Sequence, residues 1–327
     1  MLNVLYAGSP DAAKITLEEL IEASKDSNFK IVGVLTNPPS AQGRHKTPVP
    51  TPVETLAVEN GIPVFNPEHL DTPCREAVQK TNPDIMVCFA YGHIFGPKFM
   101  GLFRFGGINL HPSALPEFRG CTPVNAAILN MKQETAFTIQ KVSPKMDEGN
   151  ILAQQKVTLT GKETSTSLLN NAAHWGAGAF AQILKEIAET DEIPEGRAQE
   201  GEASYTGIIK KEDARLNWNE SAKKIDACVR GYYSNPCAWT TNAGENLKII
   251  EGHPLSEDEE KEIIAENPNA WTAPEGTVIS FVKTKGIIVR CKEGFYAITR
   301  LQKNGKSEMD YKAFMNGARN FLGSLLE

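Results

Sequence analysis

Short apolar runs alternate with helical patterns through the first half of the chain. Leu2–Ala7 is an apolar run that leads through a Gly8–Asp11 turn into a helical pattern over Ala12–Ser24. Ile31–Thr36 and Ile85–Ala90 are further continuous apolar runs, which are typical of strands buried on both faces of a sheet. Strands that alternate with helices predict an α/β fold built on a doubly wound sheet.

The second half of the chain has a different pattern. A helical pattern rich in alanine and leucine covers Ser165–Thr190, and the polar stretch Asp191–Ile208 follows it. The next apolar runs are short and punctuated by glycine, which predicts a small β-barrel or sandwich. They are Leu247–Ile250, Thr277–Val282, Gly286–Cys291 and Phe295–Leu301. The sequence therefore predicts a first domain over residues 1–190, a linker over 191–208 and a second domain over 209–327.

A long polar loop, Asn37–Pro52, interrupts the first half and contains five prolines. Its centre carries Arg44, His45 and Lys46. Loops of this length are usually functional or disordered, and basic side chains are the ones that contact phosphate backbones. The loop is therefore either a phosphate-contacting element or a solvated segment, and its residue types do not decide between the two.

The charge balance is uneven along the chain. The formal net charge of −6 over 327 residues argues against attraction of the whole protein to nucleic acid. Residues 276–327 depart from this balance, with nine lysines and arginines against four acidic residues. A basic β-domain fits an RNA surface, and a solvated basic face is an equally good interpretation.

Several classes of function are not favoured. The six cysteines are scattered, without a Cys-x-x-Cys pair or a histidine at metal-ligand spacing, so we expect neither disulfides nor a metal site. The N-terminus lacks the pattern of a signal peptide and no apolar run approaches ~18 residues, so we expect a cytoplasmic protein without a membrane span. The Gly8–Asp11 turn lacks the later glycines of a dinucleotide loop, so a nicotinamide cofactor is not expected.

The best candidates for chemistry lie in a predicted short strand that ends at His111. Asn109 and His111 are two residues apart, so their side chains point to the same face of a strand. In an open parallel sheet the carboxyl ends of the strands are where ligands bind. Histidine suits proton transfer, an asparagine amide can donate to a developing oxyanion, and an aspartate such as Asp147 would orient the histidine. A capped turn and a buried structural histidine are the alternatives, because spacing does not show whether Asp147 meets His111.

A second candidate loop, Tyr91–Ile94, follows the apolar run Ile85–Ala90. A glycine in such a loop, here Gly92, lets backbone groups approach a planar ligand closely. His93 is either a catalytic or a structural histidine. The chain contains no nucleophile elbow and no phosphate-binding loop. These observations favour direct transfer of a group between two bound substrates, with the protein supplying positioning, proton handling and oxyanion stabilisation.

Taken together, the motifs resemble those of the methionyl-tRNA formyltransferases. The Asn-x-His pair with a distant Asp is specific to folate-dependent formyltransferases as a group, and the segment YTGIIKKEDARLNW narrows the resemblance towards the tRNA enzymes. The matching segments span nearly the whole chain. They are Tyr6–Asp11, Gly43–Lys46, Ala90–Gly92, Asn109–Pro116, Arg119–Gly120 with Pro123, Met146–Gly149 with Ile151–Leu152, and Tyr205–Trp218.

The resemblance implies a Rossmann-like, mostly parallel N-terminal catalytic domain that holds 10-formyltetrahydrofolate and an OB-like C-terminal barrel that binds initiator methionyl-tRNA. By similarity, Asn109, His111 and Asp147 are the catalytic trio of a formyl transfer for translation initiation. The expected folate contacts are Tyr91, Gly92, His93, Ile94, Ser113, Ala114, Leu115, Pro116 and Ser143. The expected tRNA contacts are Arg44, His45 and Lys46. We expect a monomer that uses no metal.

The resemblance leaves some points open. Pro112 and Ala114 stand where glycine and leucine are common, although proline at the first position is familiar in the wider family. Pro112 stiffens the loop after His111, and Ala114 removes bulk beside the folate, so the loop shape and the folate affinity are in question. The rival interpretations are a formyltransferase that acts on an amino sugar nucleotide and a non-catalytic RNA-binding protein on the same fold.

Overall fold

The computed structural model describes residues 1–42, 47–318 and 320–327. It divides into two compact units whose ranges interleave along the chain. The first unit comprises Met1–Pro123, Glu134–Thr158 and Ser167–Gly207, and the second comprises Val124–Gln133, Leu159–Thr166 and Ile208–Glu327. The predicted domains were consecutive ranges, whereas two short segments of the predicted first domain group here with the C-terminal unit. That the predicted ranges fold as separate domains stays a prediction.

The elements of residues 1–207 are strands interspersed with helices. They are β1 (Leu2–Ala7), α1 (Asp11–Ser24), β2 (Phe29–Leu35), β3 (Ser40–Gln42), β4 (Thr47–Val49), α2 (Pro52–Glu59), β5 (Val64–Phe65), α3 (Thr72–Gln79), β6 (Ile85–Cys88), α4 (Pro97–Met100), β7 (Gly107–His111), β8 (Arg119–Gly120), α5 (Pro123–Leu129), β9 (Glu134–Lys141), β10 (Ile151–Thr158), α6 (Ser165–Thr190) and β11 (Tyr205–Thr206).

A seven-stranded sheet in the order β10-β9-β7-β6-β1-β2-β5 forms the centre of the first unit. Five neighbouring strands of this sheet, β7, β6, β1, β2 and β5, run parallel. Strands β9 and β10 are antiparallel and lie beside β7 at one edge. The predicted mostly parallel, Rossmann-like sheet is therefore confirmed. The chain builds outward from β1 through β2 to β5 and then returns to place β6 on the other side of β1. In open α/β sheets such a reversal marks the ligand crevice at the carboxyl ends of the two strands on either side of it, here β1 and β6, and β7 is the next strand after β6.

The predicted loop Asn37–Pro52 is partly regular, which corrects that prediction. Strands β3 and β4 pair antiparallel inside it, and α2 begins at its last residue. Thr51 caps α2 by accepting from the Glu54 backbone N–H, and Pro52 fits the first turn because no intrahelical donor is needed there. The five prolines suggested irregular structure, whereas one of them starts a helix. The predicted tRNA contacts Arg44, His45 and Lys46 lie outside the described residues.

The predicted linker Asp191–Ile208 is largely bonded into the first unit. Its strand β11 pairs in parallel with β8, and Arg197 exchanges backbone hydrogen bonds with Ile151. This segment is polar in composition but is not a flexible linker, because its backbone N–H and C=O groups form hydrogen bonds with neighbouring strands. Within the described ranges, no helix is both long and apolar enough to cross a membrane.

The second unit is built on a six-stranded antiparallel sheet in the order β12-β13-β16-β15-β14, with β17 paired to β16. Its elements are a short 3-10 helix (Glu212–Ala214), α7 (Ala222–Gly231), β12 (Trp239–Asn242), β13 (Glu245–Pro254), α8 (Glu257–Glu266), β14 (Val278–Val282), β15 (Gly286–Arg290), β16 (Phe295–Lys303), β17 (Met309–Asp310) and α9 (Tyr311–Asn316). The apolar pattern does not predict α8, which begins with a capping box between Ser256 and Glu259.

Candidate active site

Asn109 and His111 lie at the carboxyl end of β7, beside the crevice of the first unit. In the sheet, Asn109 is opposite Cys88 on the parallel strand β6 and opposite Gln140 on the antiparallel strand β9. The two-residue spacing places both side chains on one face of the strand. Among the described residues, the Asn109 side-chain amide has no hydrogen-bond partner. It is therefore available to an oxygen of a bound ligand.

The imidazole of His111 is held between two oxygen atoms. His111 is only 4% exposed, and its Nε2 lies 2.9 Å from the Phe118 carbonyl oxygen. A carbonyl can only accept, so Nε2 donates and carries a proton. Nδ1 lies 3.6 Å from Oδ2 of Asp147, 36 residues along the chain. Nδ1 is therefore the ring nitrogen at which a further proton is taken up.

The surroundings of His111 favour its neutral form. Burial, the largest effect, lowers the pKa of His111 below its usual value. The Asp147 carboxylate and the Phe118 carbonyl oppose this effect and raise the pKa, while the Arg119 cation lowers it further. The net direction is downward, so His111 is available as a base at neutral pH, with a carboxylate placed to stabilise its charged form.

Asp147 is fixed on all sides by neighbouring groups. Its Oδ2 accepts from the Gly120 backbone N–H at 2.8 Å, and its Oδ1 accepts from the Gln140 side-chain amide at 2.8 Å. Its backbone has φ of 54°, a left-handed conformation that is uncommon outside glycine. The structure thus brings together the three residues that the resemblance named, although their roles remain a prediction.

The loop after β6 presents a mixture of buried and open groups. The Tyr91 ring is buried and stacks on Phe95 at a centroid distance of 5.4 Å. Gly92 has φ of +87°, and a Cβ added there would meet nothing within 4 Å. His93 and Ile94 are exposed, and Ile94 is 79% exposed. Open backbone at Gly92, with an exposed apolar side chain next to it, fits contact with a planar ligand.

The loop after β7 is more enclosed than the one after β6. Ser113 is fully buried and donates its hydroxyl to the Glu117 carbonyl at 2.6 Å. Leu115 and Pro116 are buried as well, and Ala114 is half-buried. Ser143, on the loop that leads to Asp147, donates to the Lys145 carbonyl at 2.6 Å. The donor protons of both serines are therefore used within their own turns, and a contact of these residues with a ligand stays a prediction.

Sequence reasoning missed two glutamines beside Asp147. Gln140 on β9 is 2% exposed, but polar residues alternate with apolar ones along this strand, so the sequence pattern does not mark Gln140 as buried. Gln199 lies in the polar segment that the sequence assigned to a linker, and nothing in its local pattern marks it. Its side chain donates to the Asp147 carbonyl at 2.8 Å. Within the described ranges, no group of three His, Cys, Asp or Glu is placed to hold a metal ion.

Two family models match the chain. "Formyl transferase" matches residues 3–184, and "Formyl transferase, C-terminal domain" matches residues 208–319. The methionyl-tRNA formyltransferase of Treponema denticola is 35% identical over 98% of this chain and 98% of its own length.

Solved structures share the fold at lower identity. HypX from Aquifex aeolicus in complex with tetrahydrofolic acid has a TM-score of 0.65 at 13% identity, over 98% of this chain and 48% of that protein, so the chain spans about half of its length. Methionyl-tRNA formyltransferase from Clostridium thermocellum has a TM-score of 0.57 at 16% identity, over 78% of this chain and 94% of that protein. By its two family models and its full-length relatives, the chain belongs to the methionyl-tRNA formyltransferase family, the enzymes that formylate methionyl-tRNA.

Proposed function

We propose that the formyl donor is 10-formyltetrahydrofolate and that the acceptor is the α-amine of initiator methionyl-tRNA. The amine nitrogen attacks the formyl carbon and forms the new amide bond. The bond between that carbon and N10 of the folate then breaks, and the proton lost by the amine is returned to the leaving nitrogen. Because no separate nucleophile is needed, positioning and proton transfer carry the catalysis.

In this proposal His111 and Asn109 act on the reacting atoms. Neutral His111 takes the amine proton at Nδ1, and Asp147 at 3.6 Å stabilises the imidazolium that results. The Asn109 amide, which has no partner among the described residues, donates to the formyl oxygen as it becomes negative. The single observation that carries the proposal is the meeting of a buried histidine, a fixed aspartate and a free amide at the carboxyl edge of the sheet.

We place the folate at this edge, against Tyr91–Ile94 and the loops of Ser113–Pro116 and Ser143. The support is the open backbone at Gly92 and the exposed Ile94. HypX, which shares the fold, binds tetrahydrofolic acid. Pro112, which is buried, and Ala114, which is half-buried, follow His111 directly and would shape the folate wall on that side.

We assign tRNA binding to the second unit, as an OB-like barrel, and to Arg44, His45 and Lys46. Residues 276–327 of that unit carry nine lysines and arginines against four acidic residues. A second support is a groove of about 1090 Å³ in that unit, whose lining includes Lys303, Lys306 and several asparagines as well as two glutamates and apolar side chains. Lysines and amide side chains are the groups that contact phosphate and sugar. A monomeric, cytoplasmic enzyme is part of this proposal. The amino sugar and RNA-binding interpretations are not favoured, because full-length relatives are named methionyl-tRNA formyltransferases.

The test is formyl transfer from labelled 10-formyltetrahydrofolate to charged initiator tRNA in a single turnover. We expect His111→Ala to lose at least about a hundredfold in rate, because general acid–base catalysis contributes about 10²–10⁴-fold. His174→Ala is the matched control, since His174 is exposed and pairs with Glu19 on the surface. A near-parental rate for His111→Ala would remove His111 from the mechanism, and labelling of a free amino sugar nucleotide in place of tRNA would overturn the proposed acceptor.

A further inference from the structure

One side chain from outside the Asp147 loop holds the backbone of that loop. The Gln199 amide nitrogen lies 2.8 Å from the Asp147 carbonyl oxygen and 2.9 Å from the Gly149 carbonyl oxygen. The same nitrogen lies 3.2 Å from Oε1 of Gln140, whose own amide binds the Asp147 carboxylate. Gln199 therefore holds the main chain on both sides of Glu148 and also contacts the group that holds the Asp147 side chain.

Gln199 is itself anchored by Arg119. The Arg119 Nε and Nη2 atoms donate to the Gln199 Oε1 at 3.2 and 2.8 Å. The Nη1 atom of the same guanidinium donates to Glu148 Oε1 at 3.0 Å, and Arg119 is 11% exposed at its side chain. Arg119 and Gln199 thus form a closed ring of hydrogen bonds with the loop. Bonds of this kind to a charged donor are stronger than neutral ones.

The loop needs such support because Asp147 adopts a backbone conformation that is uncommon for a residue other than glycine. Asp147 is left-handed, with φ of 54°. Gly149 approaches β9 so closely that an added Cβ would lie 1.7 Å from the Lys141 carbonyl oxygen. Backbone conformations of this kind persist only where the surrounding structure over-determines them. In the described structure, the Gln199 bonds to two loop carbonyls are part of that surrounding support.

We propose that Gln199 is a positioning residue that holds the Asp147 carboxylate against His111 during formyl transfer. This inference rests on the proposed role of Asp147. Among the described residues, Gln199 has no hydrogen bond with His111 or Asn109, so it acts through the loop. The predicted linker Asp191–Ile208 then contributes a residue that positions a group of the proposed active site.

A positioning role for Gln199 affects the pKa of His111, whereas a merely structural role would leave this pKa unchanged. The groups that face His111 are the Asp147 carboxylate, the Phe118 carbonyl and the Arg119 cation. If the loop loosens, the Asp147 carboxylate moves away while the burial of His111 in β7 and its Phe118 bond remain. The influence that raises the pKa of His111 is then weakened, so this pKa falls further below its usual value.

Gln199→Met tests this proposal because it keeps the length of the side chain and removes every hydrogen bond. We expect kcat to fall about tenfold to a hundredfold, as for a displacement of about 1 Å at a catalytic group, with both KM values within about threefold of the parent. We also expect a lower His111 pKa in a histidine NMR titration of the enzyme without substrate. Gln199→Glu keeps the acceptor for Arg119 but cannot donate to the carbonyls, so its kcat should fall similarly. Gln133→Met, on an exposed turn, is the control.

A double-mutant cycle with Asp147→Ala separates the possible failures. If Gln199 acts through Asp147, Gln199→Met has little further effect on kcat once Asp147 is removed. The positioning proposal is overturned if Gln199→Met keeps the parental kcat, if kcat falls with an unchanged His111 pKa, or if the two effects simply add. If Asp147→Ala itself keeps the parental rate, the proposed role of Asp147 fails and the positioning proposal fails with it.

Discussion

At the scale of single residues, the site depends on how His111 is protonated. Its Nε2 is bonded to a carbonyl and its Nδ1 faces a carboxylate, so the ring has one nitrogen at which its charge can change. Burial lowers the pKa of His111 and Asp147 partly reverses this. The neutral form is the base, so activity is present above this pKa and is lost as the pH falls through it.

Asp147→Asn tests this electrostatic balance. Without the carboxylate charge, the pKa of His111 falls further, and the acidic limb of the pH–rate profile moves to lower pH. The maximal rate falls about tenfold or more, because the imidazolium loses its stabilising partner. The profile is measured under single-turnover conditions, and Asp191→Asn, in an exposed ion pair with Arg104, is the control. An acidic limb that moves to higher pH would show that the Asp147 carboxylate does not raise the pKa of His111.

At the scale of elements, the short pairing of β8 with β11 shapes the edge of the site. Gly120 in β8 has φ of +104°, and a Cβ added there would lie 2.2 Å from the Thr206 carbonyl oxygen. The same residue donates its backbone N–H to Asp147. Only glycine combines this backbone conformation with such a close approach of the partner strand. A two-residue pairing thus aligns a donor with the proposed partner of His111.

We expect Gly120→Ala to destabilise the fold and to impair formylation. A left-handed conformation costs a non-glycine residue about 1–2 kcal/mol, and the clash with Thr206 adds about 1–3 kcal/mol. Gly61→Ala is the matched control, because Gly61 has φ of +66° with nothing within 4 Å of an added Cβ. Urea denaturation measures the difference between the two variants. Equal free energies of unfolding for the two variants would show that β11 moves away from the added methyl group at no cost in stability.

At the scale of the whole molecule, the two units interleave in sequence. Val124–Gln133 and Leu159–Thr166 lie within residues 1–207 but group with the second unit. Asn125 donates to the Gly231 carbonyl at 2.7 Å, and Lys224 donates to the Leu129 carbonyl at 2.6 Å. Arg230 donates to the Glu163 carbonyl at 3.0 Å. A cut in the predicted linker therefore removes the partners of both segments.

We expect a fragment of residues 1–207 to melt at a lower temperature than the full chain. Three lost hydrogen bonds at about 1 kcal/mol each correspond to a fall of roughly 5–10 °C for a unit of this size. Calorimetry of the two proteins measures the shift, and Asn125→Ala in the full chain should give about a third of it. An unchanged melting temperature for the fragment would show that these segments add nothing to its stability.

The sequence determined the parts of this protein that depend on local regularity. The apolar runs predicted the strands of the first sheet, since a buried strand needs apolar side chains on both faces. The spacing of Asn109 and His111 predicted their shared face, because side chains alternate along any strand. The motifs also pointed to the family that the full-length relatives confirm.

Tertiary structure alone decided what depends on contacts between distant segments. Asp147 meets His111 across 36 residues only because β7 and β9 are neighbours in the sheet. Gln199 reaches the same loop from a segment whose polar composition suggested a free linker, and Pro52 starts a helix where prolines suggested a loop. The residue types of a segment indicate only its local conformational preference. A site depends on groups from distant segments, which only the folded chain brings within hydrogen-bonding distance.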